Sequence, residues 1–183
     1  MKTYSLQLAD NQLITYQDRK RHLWLLSMLY PLLALSGVGL YLVTGSEWLL
    51  LTPLVSIYGG ASLFDWLLGI DKSNPPEELV PQLEEDPYYR WLPMLTVPLH
   101  VVVLVVIAGV TATHELSWLS ILVLALTAGL YSGLAINTAH ELGHKKTELE
   151  RRLARIAAGI SLYGHFCIEH NRGHHRHVAT PED

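Results

Sequence analysis

This sequence predicts an all-α, multi-pass membrane helix bundle, and three observations carry that expectation. Half of the 183 residues are apolar, 16% are charged and the mean hydropathy is +0.23. That leaves too little polar surface to hold a chain of this length in solution. Residues 23–43 and 116–139 contain no charged residue, 91–113 contain only His100, and 48–70 contain only Asp65. Each run reaches the roughly 20 residues that a helix needs to cross about 30 Å of hydrocarbon. Finally, all 13 Lys and Arg fall in 1–22, 71–90 or 140–183, and the turns 44–47 and 114–115 have none. With four crossings, this asymmetry predicts that the N-terminus, the 71–90 loop and the C-terminal region share the cytoplasmic side.

The elements follow in order. Residues 1–22 read as a polar cytoplasmic tail; Asp10, Asp18, Arg19, Lys20 and Arg21 and the want of a small-residue cleavage site argue against a removable signal peptide. Residues 23–139 form the four-helix transmembrane region. Pro31, Gly37 and Gly39 are tolerated breakers in the first span. Thr44-Gly45-Ser46-Glu47 is short enough to force an antiparallel hairpin of helices. The acidic segment 71–90, broken by Pro75, Pro76 and Pro87, is a solvated loop or short helices. Pro93 and Pro98 sit near the start of the third span. The fourth runs into Asn137-Thr138-Ala139-His140 without a stop signal, so it should extend beyond the bilayer. Residues 155–168 are apolar but too short to cross, which predicts a short interfacial or re-entrant helix within the histidine-rich region 140–183. The single cysteine, Cys167, excludes an internal disulfide and an all-cysteine cluster. Nothing in composition or motif points to nucleic acid.

Chemistry concentrates at the C-terminal end. Six of the ten histidines lie in His140-Glu141-Leu142-Gly143-His144 and Glu169-His170-Asn171-Arg172-Gly173-His174-His175-Arg176-His177. His140 and His144 are spaced i, i+4, which stacks them on one helix face, and His170 and His174 repeat that spacing with His175 alongside. Imidazole is the commonest nitrogen ligand for iron, zinc, copper and nickel. The first motif is also the H-E-x-x-H signature of zinc proteases, with the glutamate as base. Five imidazoles exceed what one tetrahedral zinc takes. They suit one higher-coordinate metal or a share of two, and an all-nitrogen set beside apolar spans suits iron acting on an apolar substrate.

Asn137 to Lys146, then Tyr163-Gly164-His165-Phe166, Glu169 to His175 and His177 to Asp183, together with Asn74-Pro75-Pro76-Glu77-Glu78 and Thr96-Val97-Pro98, resemble the bacterial integral-membrane alkane hydroxylases (alkane 1-monooxygenase) over nearly the whole chain. The resemblance implies a non-haem diiron enzyme of the bacterial inner membrane. Such an enzyme uses O2 and two electrons from rubredoxin to convert the terminal methyl of an n-alkane into a primary alcohol. It assigns His140, His144, His170, His174 and His175 as iron ligands. Family members continue for about as long again, with a third cluster and a further histidine, so this chain is expected to be the N-terminal part and inactive alone.

Around that set, Glu141, Glu169 and His165 are expected to orient ligand histidines, while Cys167 is expected to be packing. Lys145, Lys146, Arg151, Arg152 and Arg155 mark the membrane face, or a basic surface for an acidic electron carrier. Asp65 and His100, ionisable inside spans, are functional candidates whose bland alternative is a pairing or hydrogen bond with a neighbouring element. Ile57, Gly60, Ala61 and Phe64, on one helical face of the second span with Pro53, are expected to line a substrate channel from the bilayer; the alternative is helix packing. Rival functions are a membrane fatty-acyl desaturase or hydroxylase, a membrane zinc protease and a non-catalytic membrane metal-binding protein.

Overall fold

A computed structural model describes residues 1–71 and 73–181; Lys72 and the motif residues Glu182 and Asp183 lie outside the described residues. The order is strand β1 (Lys2–Gln7), strand β2 (Leu13–Asp18), then helices α1 (Arg21–Thr44), α2 (Glu47–Leu68), α3 (Val80–Glu84), α4 (Pro87–Thr113), α5 (Trp118–Gly143), α6 (Glu148–Ile160) and α7 (166–177). Helices α1, α2, α4 and α5 are long and apolar enough to cross a membrane, and the chain is a membrane-helix bundle. All five tryptophans sit near the ends of these helices and are exposed: Trp24, Trp66 and Trp91 at the histidine-bearing end, Trp48 and Trp118 at the other. Amphipathic indoles collect at the two membrane–water interfaces, so the belts mark where the apolar layer begins and ends.

The spans are stapled at both ends. Gly37 lets α1 approach α2 closely, since a Cβ there would lie 2.8 Å from Pro53 Cδ. Gly45, at φ +73°, makes the left-handed turn between them. At the far end, the Glu47 carboxylate accepts hydrogen bonds from Ser117 N (3.1 Å), Ser117 Oγ (2.5 Å) and Ser120 Oγ. An acid is thereby placed on the N-terminus of α5, where the helix dipole favours it. Between the stapled ends, Ala34, Val38, Leu50, Val103, Ile107, Val110 and Leu124 form the core of the bundle.

Residues 1–22 are not a loose tail. β1 and β2 pair antiparallel, with Tyr4 opposite Tyr16, and Tyr4 and Asp18 are buried. The hairpin docks on Asp86, the N-cap of α4, whose carboxylate binds Lys2 Nζ (2.8 Å), Tyr4 Oη (2.5 Å) and Arg21 (2.7 Å) while accepting from Tyr88 N (2.9 Å). A carboxylate with four donors carries its burial well. The hydrogen bond from Arg21, the largest cause, holds Asp86 far below the usual carboxylate range. Local polarity suggested a tail; a buried charge hub 60 or more residues away in sequence makes it a docked hairpin.

The 155–168 helix expected from sequence is replaced by two elements. A capping box starts α6 at Glu148: Thr147 Oγ1 receives Glu150 N, and the Glu150 carboxylate receives Thr147 N. The helix turns Ala154, Ala157 and Ala158 onto α4 and α5, around Met94, Val97, Ala139 and Leu142, and it ends before Leu162, whose φ is +58°. The second histidine cluster rides on the separate α7. Glu150, 1% exposed, also receives Arg90 Nε of α4 at 3.1 Å and so pins α6 to the bundle.

Candidate metal centre

Two segments bring the histidines together. α5 runs unbroken through His140 and ends at Gly143, so His140 and His144 lie one turn apart with ring centroids 4.7 Å apart. α7 docks on that helix end through Cys167, whose Sγ lies against Gly143, and Asn171, whose Nδ2 donates to Gly143 O at 3.5 Å. Phe166 stacks on His170 (5.0 Å between centroids) and meets His140 edge-on. His170 then lies 4.5 Å from His140, and His175 lies 4.9 Å from His144.

The result is a four-imidazole cluster. One ring nitrogen from each of His140, His144, His170 and His175 lies within 4.8 Å of the others, and the Nε2 atoms of His170 and His175 approach to 2.9 Å. Lone pairs converging this closely repel unless a proton or a cation sits among them. Partial burial first, and the neighbouring imidazoles next, hold His144 and His170 below the usual imidazole range, which favours the neutral form that ligates metals. The donor set therefore fits a metal ion.

His174 does not join this set; its ring lies 5.5 Å from His170 and 5.6 Å from His175. The i, i+4 expectation assumed an α-helix, but His170–His174 is a π-helical turn. There the hydrogen-bonded repeat is i, i+5, which brings the His175 ring to 4.4 Å from His170, closer than His174. The same irregularity affects α2, where Ser56–Ala61 is π-helical. Of the face expected to line a channel, Ile57 is half-buried and Gly60 partly so, while Ala61 and Phe64 are exposed.

Beside the cluster lies an open cavity of about 1120 Å³. Leu134, Thr138 and Glu141 of α5 and Lys145 just beyond its end line it, on a face about a quarter turn from His140 and His144. Trp24 and Tyr30 of α1 and Ile57 of α2 form the facing wall. A Cβ added at Gly60 would meet nothing within 4 Å. At the mouth, Lys20 pairs with Asp71 and donates to Ser73 O at 3.1 Å.

The remaining charged groups have other partners. Glu141 pairs with Lys145 at 2.7 Å, and Glu169 accepts from Tyr163 Oη at 2.6 Å and pairs with His165 at 3.3 Å. Arg151, Arg152 and Arg155 all reach Glu148. His100, 2% exposed, hydrogen-bonds Tyr30 Oη of α1 at 2.8 Å; Asp65 is exposed and makes no ion pair among the described residues. Sequence reading missed Phe166, Tyr30 and the Arg90–Glu150 pair. Only Glu150 had a local signal, the Thr147-x-x-Glu150 capping box.

The chain also resembles known proteins. Residues 116–183 match the fatty acid desaturase family. The chain is 50% identical over 96% of its length to alkane 1-monooxygenase 1 of Alcanivorax borkumensis. Over 92% of its length it is 49% identical to alkane 1-monooxygenase of Ectopseudomonas oleovorans and 46% identical to that of Pseudomonas putida. It spans 42–43% of the length of these curated relatives. With close to half of its residues shared over nearly its whole length, this chain is similar to proteins named alkane 1-monooxygenase and has a fatty acid desaturase-like region.

Proposed function

We propose that this chain forms the N-terminal part of a non-haem diiron monooxygenase that hydroxylates the terminal methyl of n-alkanes with O2 and electrons from rubredoxin. The observation that carries the reading is the convergence of His140, His144, His170 and His175 at one end of a membrane-length bundle, beside a cavity with apolar walls. Iron bound there would supply the reduction of O2 and the removal of hydrogen from an unactivated C–H bond. His174, next to His170 and His175, stays with the ligand set that the resemblance implies. Every Lys and Arg lies in segments at the histidine-bearing end or follows it in sequence, which supports a cytoplasmic site in the bacterial inner membrane, open to a soluble electron donor.

The protein's own contribution is ligands, orientation and an approach for the substrate. Phe166 packs His170 in place, and Glu169, held by Tyr163 and His165, braces the turn that leads into α7. Ile57 lines the cavity along with Leu134, while Ala61 and Phe64 are exposed on the side from which an alkane would arrive.

A desaturase or hydroxylase acting on acyl chains is the second reading, favoured by the family match over residues 116–183. The zinc protease reading weakens because Glu141, which would serve as the base, is turned toward Lys145 and the cavity. The deciding experiment expresses the full-length protein in a host that supplies a rubredoxin, then measures iron content and 1-alkanol formation from n-alkanes. Iron with alkanol production supports the reading; zinc, or double-bond formation on acyl chains without alkane oxidation, overturns it.

A further inference from the structure

The cavity beside the histidines has a definite inner end. On α4 its deepest lining residue is Thr96, and on α5 it is Leu134. One turn beyond Thr96 stands His100, which does not line the cavity. Tyr30 of α1 fills the gap: its ring lines the cavity, and its hydroxyl meets His100 Nε2 at 2.8 Å and Leu134 O at 3.5 Å. Beyond Tyr30, His100, Val103, Ala128 and Tyr131 pack closely, leaving no space among them large enough for a water molecule. Tyr131 stacks on Tyr30 with centroids 6.4 Å apart, and its hydroxyl is buried without a partner among the described residues. The Tyr30 side chain therefore closes the inner end of the cavity, backed by the closely packed His100 and Tyr131.

We infer that Tyr30, clamped by His100, is the stop that sets the depth of the cavity and with it the longest linear apolar chain that fits. This inference rests on the reading of the cavity as the route of an apolar chain to the histidines. A buried imidazole in a membrane span needs a polar partner, and here its bond is spent on holding one aromatic ring across the cavity floor. The clamp matters because a ring released from its hydroxyl partner regains rotamers and is no longer pinned across the floor, so it yields to a longer chain. Neither residue touches the four converging histidines, so both are specificity-determining residues and not catalytic ones.

The test is the chain-length profile of n-alkane hydroxylation by the full-length protein. Tyr30→Ala removes the ring from the cavity floor and, by the space that ring occupied, is expected to raise the longest alkane oxidised, with shorter alkanes still turned over. Tyr30→Phe and His100→Leu each break the same bond. Both should shift the limit in the same direction by a smaller step, and the double variant should shift it no further. Should Tyr30→Ala fail to accumulate in the membrane, Tyr30→Trp decides, because added bulk at a stop must shorten the limit. An unchanged limit in these variants, or an equal loss at every length, would assign Tyr30 and His100 to helix packing. No alkane oxidation by the unmodified protein would instead overturn the reading of the site, and the stop with it.

Discussion

Glu150 is the single residue whose loss should most clearly separate the histidine-bearing segments from the bundle. Its buried carboxylate accepts from Arg90 Nε at 3.1 Å and Thr147 Oγ1 at 2.5 Å, and it completes the capping box that starts α6. Glu150→Ala removes the box, worth about 1 kcal/mol. It also removes a charge-assisted bond worth about 1.5–3 kcal/mol, discounted because the Arg90 side chain is 37% exposed and water can take over its donors. A net cost of about 2–3 kcal/mol for keeping α6 docked follows, which corresponds to a roughly 30- to 150-fold rise in the undocked population. Arg151, Arg152 and Arg155 lie on α6, so brief trypsin digestion of the folded protein in detergent reads that population directly. Cleavage in α6 should accelerate by that factor while the spans stay protected. Glu150→Gln, which keeps the shape and a Thr147 contact, should fall between. Acceleration below about threefold would refute the reasoning and leave the alanine packing of α6 as its sole anchor.

Other expectations are equally open to measurement. His140→Ala, His144→Ala, His170→Ala or His175→Ala should each remove most of the bound iron from the full-length protein, whereas His114→Ala, at the opposite end of the bundle, should leave iron content unchanged in the same assay. With Cys167→Ser as background, cysteines at Ser46 and Glu115 should react with an impermeant thiol reagent from the outer side and one at Lys146 should not; the reverse pattern would invert the topology. Ile57→Trp should shorten the longest alkane oxidised, because it fills the cavity that Ile57 lines; equal loss at all lengths would make Ile57 a packing residue. Asp86 has a depressed folded pKa, so its contribution to hairpin docking is present above its unfolded value of about 3.9 and is lost only as pH falls through the folded value. Intrinsic-rate-corrected hydrogen exchange of β1 and β2 should therefore be the same at pH 7 and pH 5, while Asp86→Ala should raise it at both.

How much of this was legible from residues alone depends on the range of the interaction concerned. Four apolar runs of membrane length, the basic residues confined to three segments and the His140–His144 spacing are local properties, and hydrocarbon thickness, charge and helical pitch act on them wherever the chain goes. The sequence by itself thus determined the bundle and the gathering of histidines at one end of it. Tertiary structure decided what depended on partners far apart in the chain. Asp86 turned a polar N-terminus into a docked hairpin, Arg90 fixed α6 where an apolar stretch alone suggested an interfacial helix, and Tyr30 reached His100 across 70 positions. It also decided the register of the second histidine cluster. A π-helical turn costs local hydrogen-bond geometry, and it persists here together with the packing of Phe166, Cys167 and Asn171 against the end of α5, so His175 faces His170 where regular helical spacing pointed to His174.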